Sequence, residues 1–346
     1  MAAVLGLAGV AAGGAPPAAT PAPPPRIENA YWTDAKGELP TIVLEKAGLR
    51  LTVLRPDPAT FLSDRWSEDY GGTRFDHSGR IALAEFRGHT FIGRWTEIAG
   101  RRVPMYSLGT SEEYKTNLAI DPTPPETRAV IRIGVGRMGR TDPNGRWTIA
   151  PAPWEVQSGP DWIEFRQAVA HPSGWGYHLV KRLTLADRPG EFRFDRRLRN
   201  TGTGEIAATF YCHNWFGIDG VGIGPDYRVR FPFRPKMEWG KWRGGGQIVG
   251  QEINFLGPVT EPLPGFYARF AGRWDADENR VTIEQTRSGA CVRIVGDWPV
   301  SLYGVYATRE EICPEPHFAF RLAPGDERSW ATTYTLMLAH PPEGSP

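Results

Sequence analysis

Two segments carry side chains with the right chemistry for moving protons. The first is Phe210–Gly220, reading FYCHNWFGIDG, in which His213 stands among large apolar residues with the polar Asn214 beside it. An imidazole titrates near neutrality and can both give and take a proton. The same residue in an apolar strand can also be a core histidine satisfied by a backbone carbonyl, so His213 alone leaves both readings open. The second segment is Glu311–Leu322, reading EICPEPHFAFRL, with Glu315 between Pro314 and Pro316. A following proline drives its predecessor into extended backbone, and a preceding one fixes its own φ. Such a carboxylate is held stiffly in a fixed geometry, although a surface glutamate between prolines reads the same way.

A third segment, Tyr70–Arg80 (YGGTRFDHSGR), is polar on both faces. On an extended chain Arg74, Asp76 and Ser78 share one side and Thr73, Phe75 and His77 the other. Arg74 and Asp76 have the donors and acceptors to bind vicinal hydroxyls, or to pair with each other.

The elements that must position these groups read as short strands. From Ile27 onward, runs with Val, Ile, Tyr, Phe or Trp at every second position alternate with Gly, Pro, Asn and Asp, the pattern of strands with one buried face. Thr41–Lys46 and Leu49–Arg55 form a hairpin over Ala47-Gly48. Further strands are expected at Arg80–Arg87, Ala129–Arg137, Trp162–Ala168, Tyr177–Leu185, Glu191–Arg199, Ile206–Phe216 and Tyr227–Phe233. Others follow at Val281–Gln285, Cys291–Val295, Ser301–Tyr306, Phe318–Leu322 and Ser329–Leu338. Only Asp57–Trp66 offers a turn or two of helix. So many strands without a helical half predict an all-β protein of stacked antiparallel sheets. A single domain is expected over 27–340, after a segment 1–26 that resembles a signal peptide or a disordered leader and before a frayed tail, 341–346.

The three segments together resemble the galactose mutarotase-like, or aldose 1-epimerase, superfamily. That family sets its acid histidine in an Asn-His-x-Tyr-Phe strand that follows a strand ending in Asn-Thr-Gly. Here Cys212-His213-Asn214-Trp215-Phe216 follows Asn200-Thr201-Gly202. The family's base is a glutamate in a Cys-x-Glu segment near the C-terminus, matched by Cys313-Pro314-Glu315. The resemblance covers roughly residues 65 to 338. It implies a galactose-mutarotase-like supersandwich in which His213 protonates a sugar's ring oxygen and Glu315 takes the proton of the anomeric hydroxyl. For such a pair the polar tips are expected about a sugar ring apart, on the order of 5–8 Å, with Arg74 on the same rim. The family's Gly-Arg-x-x-Asn-Arg-Ile and His-Gly-Gly segments are missing, as in an atypical bacterial branch. His77 or His178 then stands in for the second sugar-binding histidine, and Asn214 joins Arg74 and Asp76 as a substrate contact.

Bulk properties narrow the alternatives. The 346 residues are 40% hydrophobic and 12% aromatic, with 13 Trp, enough for a packed core and too much for disorder. A net charge of +1 with interspersed signs lacks the basic stripe of a nucleic-acid binder. Cys212, Cys291 and Cys313 have no CxxC spacing, so neither a disulfide framework nor a zinc cluster is expected. No HxxxH or Asp/His spacing marks a metal, and Gly134-x-Gly136 and Gly244-Gly245-Gly246 lack a phosphate-loop context. The expected partner is a sugar or oligosaccharide, with no cofactor, no nucleic acid and no membrane span; nothing in the sequence sets an oligomeric state. The run MAAVLGLAGVAAGGAPPAA is too short to cross a bilayer and suits export to the periplasm or beyond, the alternative being a cytoplasmic protein. Trp154, Trp162, Trp175, Trp215, Trp239 and Trp242 are candidate stacking platforms for sugar rings.

Three functions remain in view. One is anomer interconversion by an acid and a base. Another is an oligosaccharide lyase or hydrolase on the same fold, with Arg74, Arg132 and Arg309 holding a uronate carboxylate. The third is a non-catalytic carbohydrate-binding protein.

Overall fold

The computed structural model describes residues 41–56, 75–76, 78–93, 109–120, 129–140, 147–242, 245–260 and 266–339, together with a small hairpin, Thr33–Asp34 with Gly37–Glu38. The leader 1–26, the segment Asp57–Trp66, Arg74, His77 and the tail 341–346 lie outside the described residues. Strands make up 62% of what is described. The one helical element among the described residues is a 3-10 turn at Ala276–Glu278.

Two large antiparallel sheets frame the protein. A ten-stranded sheet contains the run 162–170, 176–185, 191–200, 327–338, 290–296 and 280–285. A six-stranded sheet runs in the order 237–242, 266–270, 302–307, 312–322, 206–214 and 110–116. A four-stranded sheet of 41–46, 49–54, 81–86 and 89–92 and a three-stranded one of 130–132, 136–140 and 147–151 complete the architecture.

Alternation explains how the two large sheets face each other. In Ile206–Asn214 the residues Ile206, Ala208, Phe210 and Cys212 point inward. In Ile312–Leu322 the inward set is Phe318, Phe320 and Leu322. They meet Leu179, Leu198 and Trp330 of the larger sheet. Phe210 lies 5.2 Å from the Trp330 ring and 5.1 Å from Tyr114, and each such pair adds about 0.5–1.5 kcal/mol beyond area burial. The opposite parity, including Tyr211, His213, Cys313, Glu315 and His317, is thereby turned to the other face of the six-stranded sheet.

A buried ionic cluster joins the sheets. Lys181 Nζ lies 2.7 Å from Asp76 Oδ2 and 3.4 Å from Glu112 Oε2, and Arg196 Nε donates to Glu112 Oε1 at 2.7 Å. Burial alone would raise the Glu112 carboxyl, but Arg196 and Lys181 overcome it and hold the group below its ordinary value. Burial pushes Asp76 up to about 6 against the pull of Lys181.

The expected strands recur with two kinds of change. Ala129–Arg137 is broken by a turn at 133–135, where Gly134 has φ +82° beside the Asp76 carboxyl, and splits into Val130–Arg132 and Gly136–Arg140. Tyr227–Phe233 stops at Arg230. Gly246 opens a further strand, Gly246–Val249. Thr110–Thr116 is a strand the sequence did not announce.

Candidate functional site

His213 and Glu315 reach one place because their strands are neighbours in register. The last ladder pair between them is Phe210 opposite Phe318, and three further steps along antiparallel chains set His213 opposite Glu315. The backbone ladder is interrupted there because Pro314 and Pro316 have no N–H to give, and it resumes at Phe216 opposite Ile312. A side chain continues the join: Asn214 Nδ2 donates to Pro314 O at 2.9 Å and to Cys212 O at 3.1 Å, while Tyr334 donates its hydroxyl to Asn214 Oδ1 at 2.8 Å. Asn214 is therefore turned to the inter-sheet side, holding the two strands together from behind.

On the site face, His213 Nδ1 is in direct contact with Glu315 Oε1. Their side chains are only 12% and 3% exposed. The expected gap of a sugar ring between the tips is not present. Residues directly opposite on paired strands have Cβ atoms about 4.5–5.5 Å apart, so two long side chains that lean together touch. The contact lacks the alignment of a hydrogen bond, and neither ring nitrogen of His213 has a hydrogen-bond partner among the described residues.

Other groups complete the surroundings. Cys313 donates its thiol to Glu315 Oε1 at 3.4 Å. His317 Nε2 stands 3.9 Å from Glu315 Oε2, too far for a hydrogen bond. The His317 ring is stacked on Tyr211 at 4.4 Å and 12°, and the edge of Phe75 meets His213 at 4.8 Å. Tyr211 donates to Glu113, and Lys115 Nζ lies 4.7 Å over the Tyr211 ring. Burial lowers His317 to about 4, outweighing the raising influence of Glu315, so this imidazole is neutral near pH 7. Burial, then the Glu315 charge, pushes the Cys313 thiol well up.

The remaining expected contacts fall elsewhere. Asp76 is 1% exposed, and beside Lys181 it accepts from Ser78 N at 2.9 Å and Ser78 Oγ at 2.6 Å. Its acceptors are committed to the protein, so the structure makes it an anchor. His178 is half-buried on Gly176–Leu185, opposite Ala168 and Arg199, with its neighbours Tyr177 and Leu179 turned into the core. It faces away from the interior and is not brought to His213. Arg74 and His77 lie outside the described residues. Arg132 donates to Tyr114 O and Arg309 to Thr260 O. Among the tryptophans, Trp215 is core, Trp154 packs on both hydrophobic clusters, Trp175 donates to Ala119 O, and Trp162 is covered by Arg182. The side chains of Trp239 and Trp242 lie outside the described residues.

Sequence reasoning passed over His317 and Tyr211. The signal for His317 was available, since it lies two residues past Glu315 on one extended strand and must share its face.

With Nδ1 against the carboxylate, His213 Nε2 is left without a hydrogen-bond partner among the described residues, and the far oxygen of Glu315, Oε2, is 3.9 Å from His317 Nε2. One is a donor when the ring is protonated and the other an acceptor when the carboxyl is ionised. The arrangement can deliver one proton while removing another.

Comparison with known proteins places the fold on a known scaffold. No family model matches the chain, and no curated protein matches its sequence. Solved structures do. A galactose mutarotase related enzyme from Lactobacillus acidophilus superposes with a TM-score of 0.53 at 11% identity, covering 86% of this chain and 97% of the other. A galactose mutarotase-like protein from Lactobacillus casei gives 0.53 at 11% identity, over 86% and 100%. A GalM/aldose epimerase homologue from C. elegans gives 0.51 at 14% identity, over 87% and 100%. The chain has the galactose-mutarotase-like fold. No helix among the described residues is long and apolar enough to cross a membrane.

Proposed function

We propose that this chain is a carbohydrate-active enzyme of the aldose 1-epimerase type, with His213 and Glu315 as its acid–base pair. The observation that carries the reading is the contact between His213 Nδ1 and Glu315 Oε1, on a face where His213 Nε2 has no hydrogen-bond partner among the described residues. The shared fold supports a sugar as the substrate.

A side-by-side pair suits this reaction because the two oxygens it must serve are attached to one carbon. Glu315 takes the proton from the anomeric hydroxyl, the C1–O5 bond breaks as the aldehyde forms, and O5 receives the proton from His213 Nε2. Rotation about C1–C2 presents the other face. The neutral imidazole then removes the O5 proton, the ring recloses, and Glu315 returns its proton to O1. Protons balance over the cycle, and each positioned group is worth about 10²–10⁴ in rate.

The test is polarimetry. Wild-type protein should speed the approach of freshly dissolved pure aldose anomers to their equilibrium rotation. Glu315→Gln should slow turnover by about a hundredfold to ten-thousandfold while sugar affinity changes far less, because the amide keeps shape and hydrogen bonding. If no aldose anomer is equilibrated faster by the wild type, the proposal fails. An oligosaccharide screen then reads out unsaturated or reducing products of a lyase or hydrolase.

A further inference from the structure

We propose that His213, Cys313 and Glu315 form a binding site for a borderline-soft divalent cation of the zinc type. One ligand atom from each residue lies within 4.8 Å of the other two. All three are on neighbouring strands of one sheet, projecting from the same face, with little exposure. Nothing in the acid–base reading uses the Cys313 sulfur as a ligand.

The donor set chooses the class of ion. Ca²⁺ and Mg²⁺ take oxygen ligands in sets of six or more, which an imidazole and a thiol do not supply. Zn²⁺ and its neighbours take mixed nitrogen, sulfur and oxygen sets at about 2.0–2.3 Å. Ligand atoms sharing such an ion therefore stand about 3–4 Å apart. Cys313 Sγ already lies 3.4 Å from Glu315 Oε1. Only the contact between imidazole and carboxylate is tighter than a shared ion allows, so the two side chains must part for an ion to enter. His317, with Nε2 3.9 Å from Glu315 Oε2, stands where it can turn in as a fourth ligand.

Two further points favour a cation here. Both ring nitrogens of His213 are buried without a hydrogen-bond partner among the described residues, and a buried polar atom left so is commonly answered by water or an ion. Charge also closes: a 2+ ion with one thiolate, one carboxylate and neutral imidazole is neutral overall, the state that burial favours. The thiol proton leaves to solvent as the ion enters.

An occupied site ties up both members of the acid–base pair, so the cation competes with the sugar. The site itself does not depend on epimerase activity, and its test reads binding alone. Full-length protein stripped with a chelator is titrated with Co²⁺ and then with Zn²⁺. The expected result is one Co²⁺ per chain with a thiolate-to-cobalt absorption band, displaced by Zn²⁺. Cys313→Ser should abolish the band and weaken Zn²⁺ at least by the 10–100-fold that even outer-shell partners are worth. His213→Gln should weaken both ions, and it decides the matter if Cys313→Ser does not fold. Cys212→Ser, on the opposite face of the histidine strand, and Cys291→Ser, on the other large sheet, should keep the band. Absence of stoichiometric Co²⁺ binding by folded protein overturns the proposal. So does a band that survives in Cys313→Ser, an unchanged Co²⁺ affinity in His213→Gln, or a band lost in Cys291→Ser.

Discussion

Lys181 Nζ sits 2.7 Å from Asp76 Oδ2 with both side chains fully buried, and this pair ties the segment that carries Phe75 to the ten-stranded sheet. Asp76 bridges to Glu112 through the backbone, and Phe75 next to it meets the His213 ring. The ion pair therefore stands two steps behind the site. Removing one partner of a buried pair costs about 3–5 kcal/mol, because the other charge is left uncompensated. Lys181→Met should lose about that much at pH 7.5 by urea denaturation. The loss should shrink at pH 5.5, since burial already places the Asp76 carboxyl at about 6 and a protonated Asp76 needs no cation. A loss independent of pH would show that the pair does not carry this charge. Asp76→Asn should cost less, because Lys181 keeps Ser78 O at 2.6 Å and Glu112 at 3.4 Å.

His317 offers a pH signature of its own. Burial depresses its imidazole to about 4 from an ordinary value of about 6.5. Between those values the unfolded chain binds the proton more readily than the folded one, so stability rises with pH across this window. The contribution is complete above about 6.5 and is lost as pH falls through 4. A shift of that size corresponds to roughly 3 kcal/mol. His317→Phe keeps a ring stacked on Tyr211 but cannot titrate. Its stability curve between pH 4 and 7 should be flatter than that of the wild type by about this amount. Parallel curves would sink the assignment.

The legible parts of the fold were those whose alternation is apolar. Ile206–Asn214 and the Phe318–Leu322 end of its partner announce themselves by Phe210, Phe318 and Phe320, and their parity alone sends His213 and Glu315 to one face. Thr110–Thr116 (TSEEYKT) was illegible for a physical reason. Its inward residue Glu112 is neutralised by Lys181 and Arg196 from distant strands, and no local pattern shows a buried carboxylate to be paired. Asp76 misleads in the same way, since an acid beside an arginine and a histidine reads as a binding residue until Lys181 is found against it. Asn214 looked like a substrate contact because it adjoins His213, although adjacent residues on a strand point to opposite faces. The direct meeting of His213 with Glu315 depends on pairing register between segments far apart in the chain. The same separation hides the grouping of His213 with Cys313 from any reading of metal-ligand spacing.

Contact between His213 and Glu315 makes a sharper prediction than either substitution alone. If the two act as one proton-transferring unit, removing either disables the whole exchange. His213→Asn and Glu315→Gln should each cut turnover by about 10²–10⁴, and the double variant should be little slower than the worse single one, as residues acting as a unit are strongly non-additive. Independent groups at opposite ends of a sugar would instead multiply their losses, giving a double variant slower by the product. The contact also predicts a separation of effects in binding. Glu315→Gln removes the charge facing His213 but retains a hydrogen-bonding amide, so affinity for a non-reacting sugar analogue, measured calorimetrically, should move far less than turnover. Multiplicative losses in the double variant, with both single variants folded, would show that the pair does not work as a unit.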